Sequence, residues 1–62
     1  MYKQSKNIIK DYIEASYWHL SKDYIQDRII GKSVEEQFIA CIEYRGLETF
    51  ERYLNKYFSI NF

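Results

Sequence analysis

Sixty-two residues suffice for one small domain (residues 1–62), and a chain this short buries only about 60% of the surface its unfolded form exposes. Nine Lys and Arg balance nine Asp and Glu, so the net charge of zero carries no push toward nucleic acid or an anionic membrane. One cysteine forms no internal disulfide, one cysteine with one histidine cannot complete a zinc site, and there is neither a cleavable signal pattern nor an apolar run near the ~18 residues of a membrane span; no cofactor, no membrane partner and a cytoplasmic setting are expected.

The first predicted element is one long helix over residues 5–30. Ile9, Ile13, Tyr17, Leu20 and Tyr24 step by four, four, three and four, which holds them on one face. Ile8 and Tyr12 widen that stripe. Trp18, Ile25 and Ile29 form a second stripe roughly a quarter-turn away, and Lys10, Glu14 and Ser21 take the opposite face. Ser21-Lys22-Asp23 offers an alternative boundary, because a serine there can cap a new helix. Uninterrupted, the helix would span roughly 39 Å.

Gly31-Lys32-Ser33 is a turn. Gly31 can take the left-handed conformation that ends a helix, and Ser33-Val34-Glu35-Glu36 matches a capping box. The next helix, residues 34–45, sets Val34, Phe38, Cys41 and Ile42 on one face, with Ile39 beside it. Arg45-Gly46 interrupts it, and Leu47, Phe50, Leu54, Tyr57 and Phe58 resume a helical pattern over residues 47–58. Ile42 and Phe50 are about 80° out of register at 3.6 residues per turn, so Gly46 is a bend or a turn. Residues 59–62 alternate apolar and polar, as an extended C-terminal arm does. The expected fold is all-α: a helical hairpin with a bent or broken second helix, two to three helices in all, assembling as a dimeric helical bundle.

Chemistry-bearing residues are few. Cys41 falls on the apolar face, where a free thiol behaves as a small hydrophobe. His19 and Asp23, four apart, can pair, but neither a nucleophile nor an oxyanion site accompanies them. Glu48 and Arg52 are a favourable i,i+4 pair. A helix-turn-helix fits neither glycine: around Gly46 the positions that should be small and apolar hold Ile42 and Arg45, and around Gly31 they hold Asp27 and Ile30. No enzymatic role is expected.

The positive signal is apolar excess. Aromatic residues make up 19% of the chain, and Tyr12, Tyr17, Trp18, Tyr24, Tyr44, Tyr53, Tyr57, Phe58, Ile60 and Phe62 exceed what a hairpin shields from water. Self-association is the ordinary remedy, with a protein interface at Tyr17, Trp18, Tyr24, Ile60 and Phe62. Trp18 and Leu20 lie about 160° apart on a helix, so both cannot face one core. These features point to a non-enzymatic homodimer, or higher homo-oligomer, of regulatory or adaptor type, with a host protein as a further partner. The alternative is a dimeric RNA- or DNA-binding hairpin using Lys3, Lys6 and Lys10. The residues with AT-rich codons (Phe, Tyr, Met, Ile, Asn, Lys) number 30 against 7 with GC-rich codons (Gly, Ala, Arg, Pro), which suits an AT-rich bacterium, phage, virus or plasmid.

Overall fold

Local hydrogen bonding divides the N-terminal half where its apolar stripe runs on. The structure, a computed structural model, describes the backbone of residues 4–58 and the side chains of residues 8–58. Its helices are α1 (Gln4–Ser16), α2 (Lys22–Arg28), α3 (Val34–Arg45) and α4 (Leu47–Phe58), with a single 3₁₀ turn at Tyr17–His19 between α1 and α2. This four-helix fold overturns two expectations: the hairpin of two to three helices, and a bundle completed only by pairing hairpins.

The long helix over residues 5–30 breaks after Ser16. The Leu20 amide donates to the Tyr17 carbonyl at 3.3 Å, closing the 3₁₀ turn, and Leu20 itself is extended, with φ −93° and ψ 146°. Ser21 is extended too, and its Oγ accepts from the Tyr24 amide at 3.1 Å, capping α2. The cap satisfies a first-turn amide and contributes about 1 kcal/mol. The break also answers a question of size. A 26-residue helix would run about 39 Å, whereas the molecule measures 32 × 24 × 15 Å. Folding back at residue 20 turns Leu20 inward, at 8% exposure, and lays α2 on α3.

Beyond α2, the Ile29 and Ile30 amides both donate to the Ile25 carbonyl, and Gly31 follows at φ 79°. The capping box is fully formed: Ser33 Oγ accepts from the Glu36 amide at 3.2 Å, and Glu36 Oε1 accepts from the Ser33 amide at 3.1 Å. Gly46, at φ 96° and ψ 147°, separates α3 from α4 as a lone non-helical residue, a conformation open to glycine alone. This turn absorbs the phase mismatch between Ile42 and Phe50. Thr49 Oγ1 donates to the Arg45 carbonyl at 2.8 Å and ties the two helices across it.

The core joins Tyr12, Ile13, Leu20, Ile29, Ala40 and Cys41, with Phe38, Phe50 and Tyr53 packed against them. On α1 the buried residues are Ile8, Tyr12, Ile13 and Ser16, so the inward face lies toward what sequence spacing made the flank; Ile9 is only half-buried and Tyr17 is exposed. Aromatic packing accounts for the shift. The Tyr12 ring stands edge-on to Phe50 at 4.8 Å, to Tyr53 at 5.1 Å and to Phe38 at 6.2 Å. Such pairs contribute about 0.5–1.5 kcal/mol each beyond the area they bury. Among the described residues no helix is long and apolar enough to cross a membrane.

Candidate functional site

α1 and α3 meet along a line that leaves an open cleft of about 520 Å³ at one end. Ile13 and Val34 give it an apolar lining, Tyr17 and Trp18 rise from the 3₁₀ turn, and Lys10, Glu14 and Gln37 supply its polar groups. The 3₁₀ turn decides this geometry. By ending α1 one turn before Leu20, it sends Leu20 into the core and leaves Trp18 89% exposed. The turn thus holds a large apolar ring in water beside the cleft.

The structure distributes the other sequence-chosen residues. Tyr24 is half-buried and works inside the molecule: its hydroxyl donates to the Ala40 carbonyl at 2.8 Å, and its ring lies 4.5 Å from that of Tyr44. Arg28 sits 5.4 Å from the Tyr24 ring centroid and pairs with Glu43 at 2.7 Å, so this group fastens α2 to α3. Tyr24 does not line the Trp18 cleft. Ile60 and Phe62 lie outside the described residues, as does Lys3; the side chain of Lys6 does too. Lys10 is exposed and lines the aromatic cleft.

Sequence spacing missed the polar members of this cleft although it carried a clue. Lys10, Glu14, Tyr17 and Trp18 fall at i, i+4, i+7 and i+8, one helical face. Assigning Tyr17 to the core stripe hid that face. Val34 and Gln37 come from α3, and only the packing of α3 on α1 brings them there.

A second polar group lies beneath the half-buried Arg45. Ser16 and Cys41 are fully buried; Ser16 Oγ accepts from Arg45 Nη1 at 3.1 Å, and the Arg45 guanidinium stacks 5.3 Å from the Tyr12 ring centroid. Burial pushes the Cys41 thiol above its ordinary range, against the opposing pull of Ser16 and Arg45. Burial likewise raises the Tyr12 phenol, which Arg45 opposes. A thiol held protonated is a poor nucleophile. Among the described residues no three His, Cys, Asp or Glu side chains are grouped to hold a metal ion.

Comparison with protein-family models, with curated proteins and with solved structures finds no match to this chain. What stands is a small, all-helical domain with a closed core and, among the described residues, an open cleft that carries Tyr17 and Trp18.

Proposed function

We propose that the chain is a non-enzymatic interaction protein of regulatory or adaptor type that works as a homodimer, with the Trp18 cleft as its contact surface. The observation that carries this reading is the exposure of Trp18 beside a cleft able to receive an indole. The cleft is suited to its own copy. It carries one cation, Lys10, and one anion, Glu14, beside apolar Ile13 and Val34. Across a two-fold axis each Lys10 meets the other chain's Glu14, while each Trp18 enters the other cleft. A non-enzymatic role is supported by the burial of Ser16 and Cys41, which leaves a substrate no path to either group.

Two exchanged tryptophans bury about 300–500 Å² of their own surface; even with a similar area of cleft wall covered, the total stays under the ~1,200 Å² of a standard stable interface. The dimer is therefore weak and concentration-dependent. Sedimentation tests it. Wild type passes from monomer to dimer over the micromolar range, and Trp18→Ala stays monomeric with its circular dichroism unchanged. A wild type monomeric at several hundred micromolar rules out the self-interface. A Trp18→Ala variant that dimerises like wild type moves the contact elsewhere.

A further inference from the structure

A second cleft, of about 250 Å³, lies between the end of α1, the 3₁₀ turn and α4, and it shares no residue with the Trp18 cleft. Arg45, Arg52 and Lys56 line it, which gathers three of the chain's nine Lys and Arg in one place, and no acidic residue is among its lining groups. His19 and Thr49 add polar groups, and Tyr57 supplies an exposed ring.

The cations are available for a ligand to different degrees. Among the described residues the ion pairs are Arg28–Glu43 and Arg52–Glu48. Arg45 and Lys56 therefore meet no carboxylate there. Arg45 is oriented by Ser16 and by the Tyr12 ring, so its position is fixed in advance. The Arg52–Glu48 contact is 3.3 Å long between side chains nearly four-fifths exposed, and a surface pair of that kind yields readily to a stronger anion. Lys56 Nζ stands 5.4 Å from the Tyr57 ring centroid. Asp11 and Glu14 on α1 add to the rise that burial causes in the Tyr53 phenol, yet neither lines the cleft.

We propose that this cleft binds the backbone of a single-stranded nucleic acid, with Arg45, Arg52 and Lys56 on phosphate and the Tyr57 ring stacked on a neighbouring base. The guanidinium fork matches the paired oxygens of a phosphate. The aromatic ring beside the cations selects single strands, because a base must be free of a duplex stack to lie on it. The neutral net charge fits a site of few phosphate contacts, held locally rather than spread over the surface.

The test is fluorescence anisotropy of a short labelled single strand, titrated with the protein at rising salt. Three phosphate contacts predict a slope of about −2 for log K against log salt, at 0.7 per contact. Arg52→Gln with Lys56→Gln should weaken binding at low salt and cut the slope to about −0.7, with thermal unfolding unchanged because both side chains are exposed. Tyr57→Ala should weaken binding about tenfold and leave the slope alone. Four results overturn the proposal: no binding at the lowest salt, full binding by the double variant, loss of binding only when Lys3, Lys6 and Lys10 are changed to Gln, or a duplex bound as tightly as the single strand. Inorganic phosphate displacing the strand as effectively as an unlabelled strand of equal phosphate content would reassign the cleft to free phosphate and overturn it as well.

Discussion

Tyr12 concentrates the molecule's contradictions in one side chain. Its ring is the hub of the aromatic core, yet its hydroxyl is buried without a hydrogen-bond partner among the described residues. Ser16 Oγ is nearby but engaged with Arg45, and it makes no aligned bond to the phenol. A buried hydroxyl left so costs about 1–3 kcal/mol, so Tyr12→Phe should stabilise the fold by about 1 kcal/mol. The melting temperature should rise by roughly 4–8 °C, measured by circular dichroism. The same burial sets an alkaline limit. Cys41, Tyr12 and Tyr53 all have raised pKa values, with burial the leading cause in each. Each is neutral when protonated, so the folded state holds the proton more tightly than the unfolded state. Their stabilisation is complete below the unfolded values and is lost as pH rises from each of these through the higher folded one, beginning near pH 9 for the thiol and near pH 10 for the phenols. Denaturant melts between pH 7 and 11 should follow that order, and Tyr12→Phe should reduce the upper part alone, leaving the share of Tyr53. Sequence spacing put Tyr12 on a flank, because its depth depends on rings from α3 and α4.

Among the elements, some boundaries are written locally and others are not. The capping box at Ser33 needs only four consecutive residues, and Gly46 marks its turn by lacking a side chain, so both are legible in the chain. The break at residues 17–20 is different. Apolar residues recur at helical spacing straight through it, and periodicity alone continues α1 into α2. Ser21 was the local sign, but a serine in mid-helix and a serine at a cap look alike until Leu20 has a core to enter. Ser21→Ala and Ser33→Ala should each cost about 1 kcal/mol, since each removes the acceptor of one amide. An unchanged melt for Ser21→Ala would mean that the 3₁₀ turn holds the break by itself. The glycines should differ from one another. A Cβ at either would meet nothing within 4 Å among the described residues, so the cost to look for is backbone strain. Gly46→Ala, in a region open to glycine alone, should lose up to about 3 kcal/mol; Gly31→Ala, at φ 79°, should lose about 1 kcal/mol.

For the whole molecule, the decisive comparison is 15 Å against 32 Å. A flattened body has much surface for its volume, and Tyr17, Trp18, Ile30, Ile39, Tyr44, Leu47 and Tyr57 all remain exposed. That Trp18 would not share Leu20's core was legible in the sequence, though through a continuous helix that the structure breaks: the 3₁₀ turn and the extended Leu20, not helix geometry, part the two. The clefts were not legible, since Val34 reaches Trp18 by the packing of α3 on α1, Arg45 reaches His19 only after the turns at Leu20 and Gly31–Ser33, and Arg52 only after a further turn at Gly46. Because one chain closes its own core, wild type should melt higher as its concentration rises, while Trp18→Ala should melt at one temperature throughout. A concentration-independent wild-type melt would count against association at this surface.

The exposure of Trp18 also governs what light can report. It is the chain's one tryptophan, and its indole already stands in water when the protein is folded. Native emission should sit close to that of a solvated indole, and denaturant should move it little while the helical signal collapses. A partner that covers the ring should shift the emission to the blue without any change in helicity. Fluorescence of this protein therefore registers contact and is nearly blind to unfolding. The buried Cys41 thiol has the opposite behaviour, reacting with a water-borne thiol reagent only when the core opens.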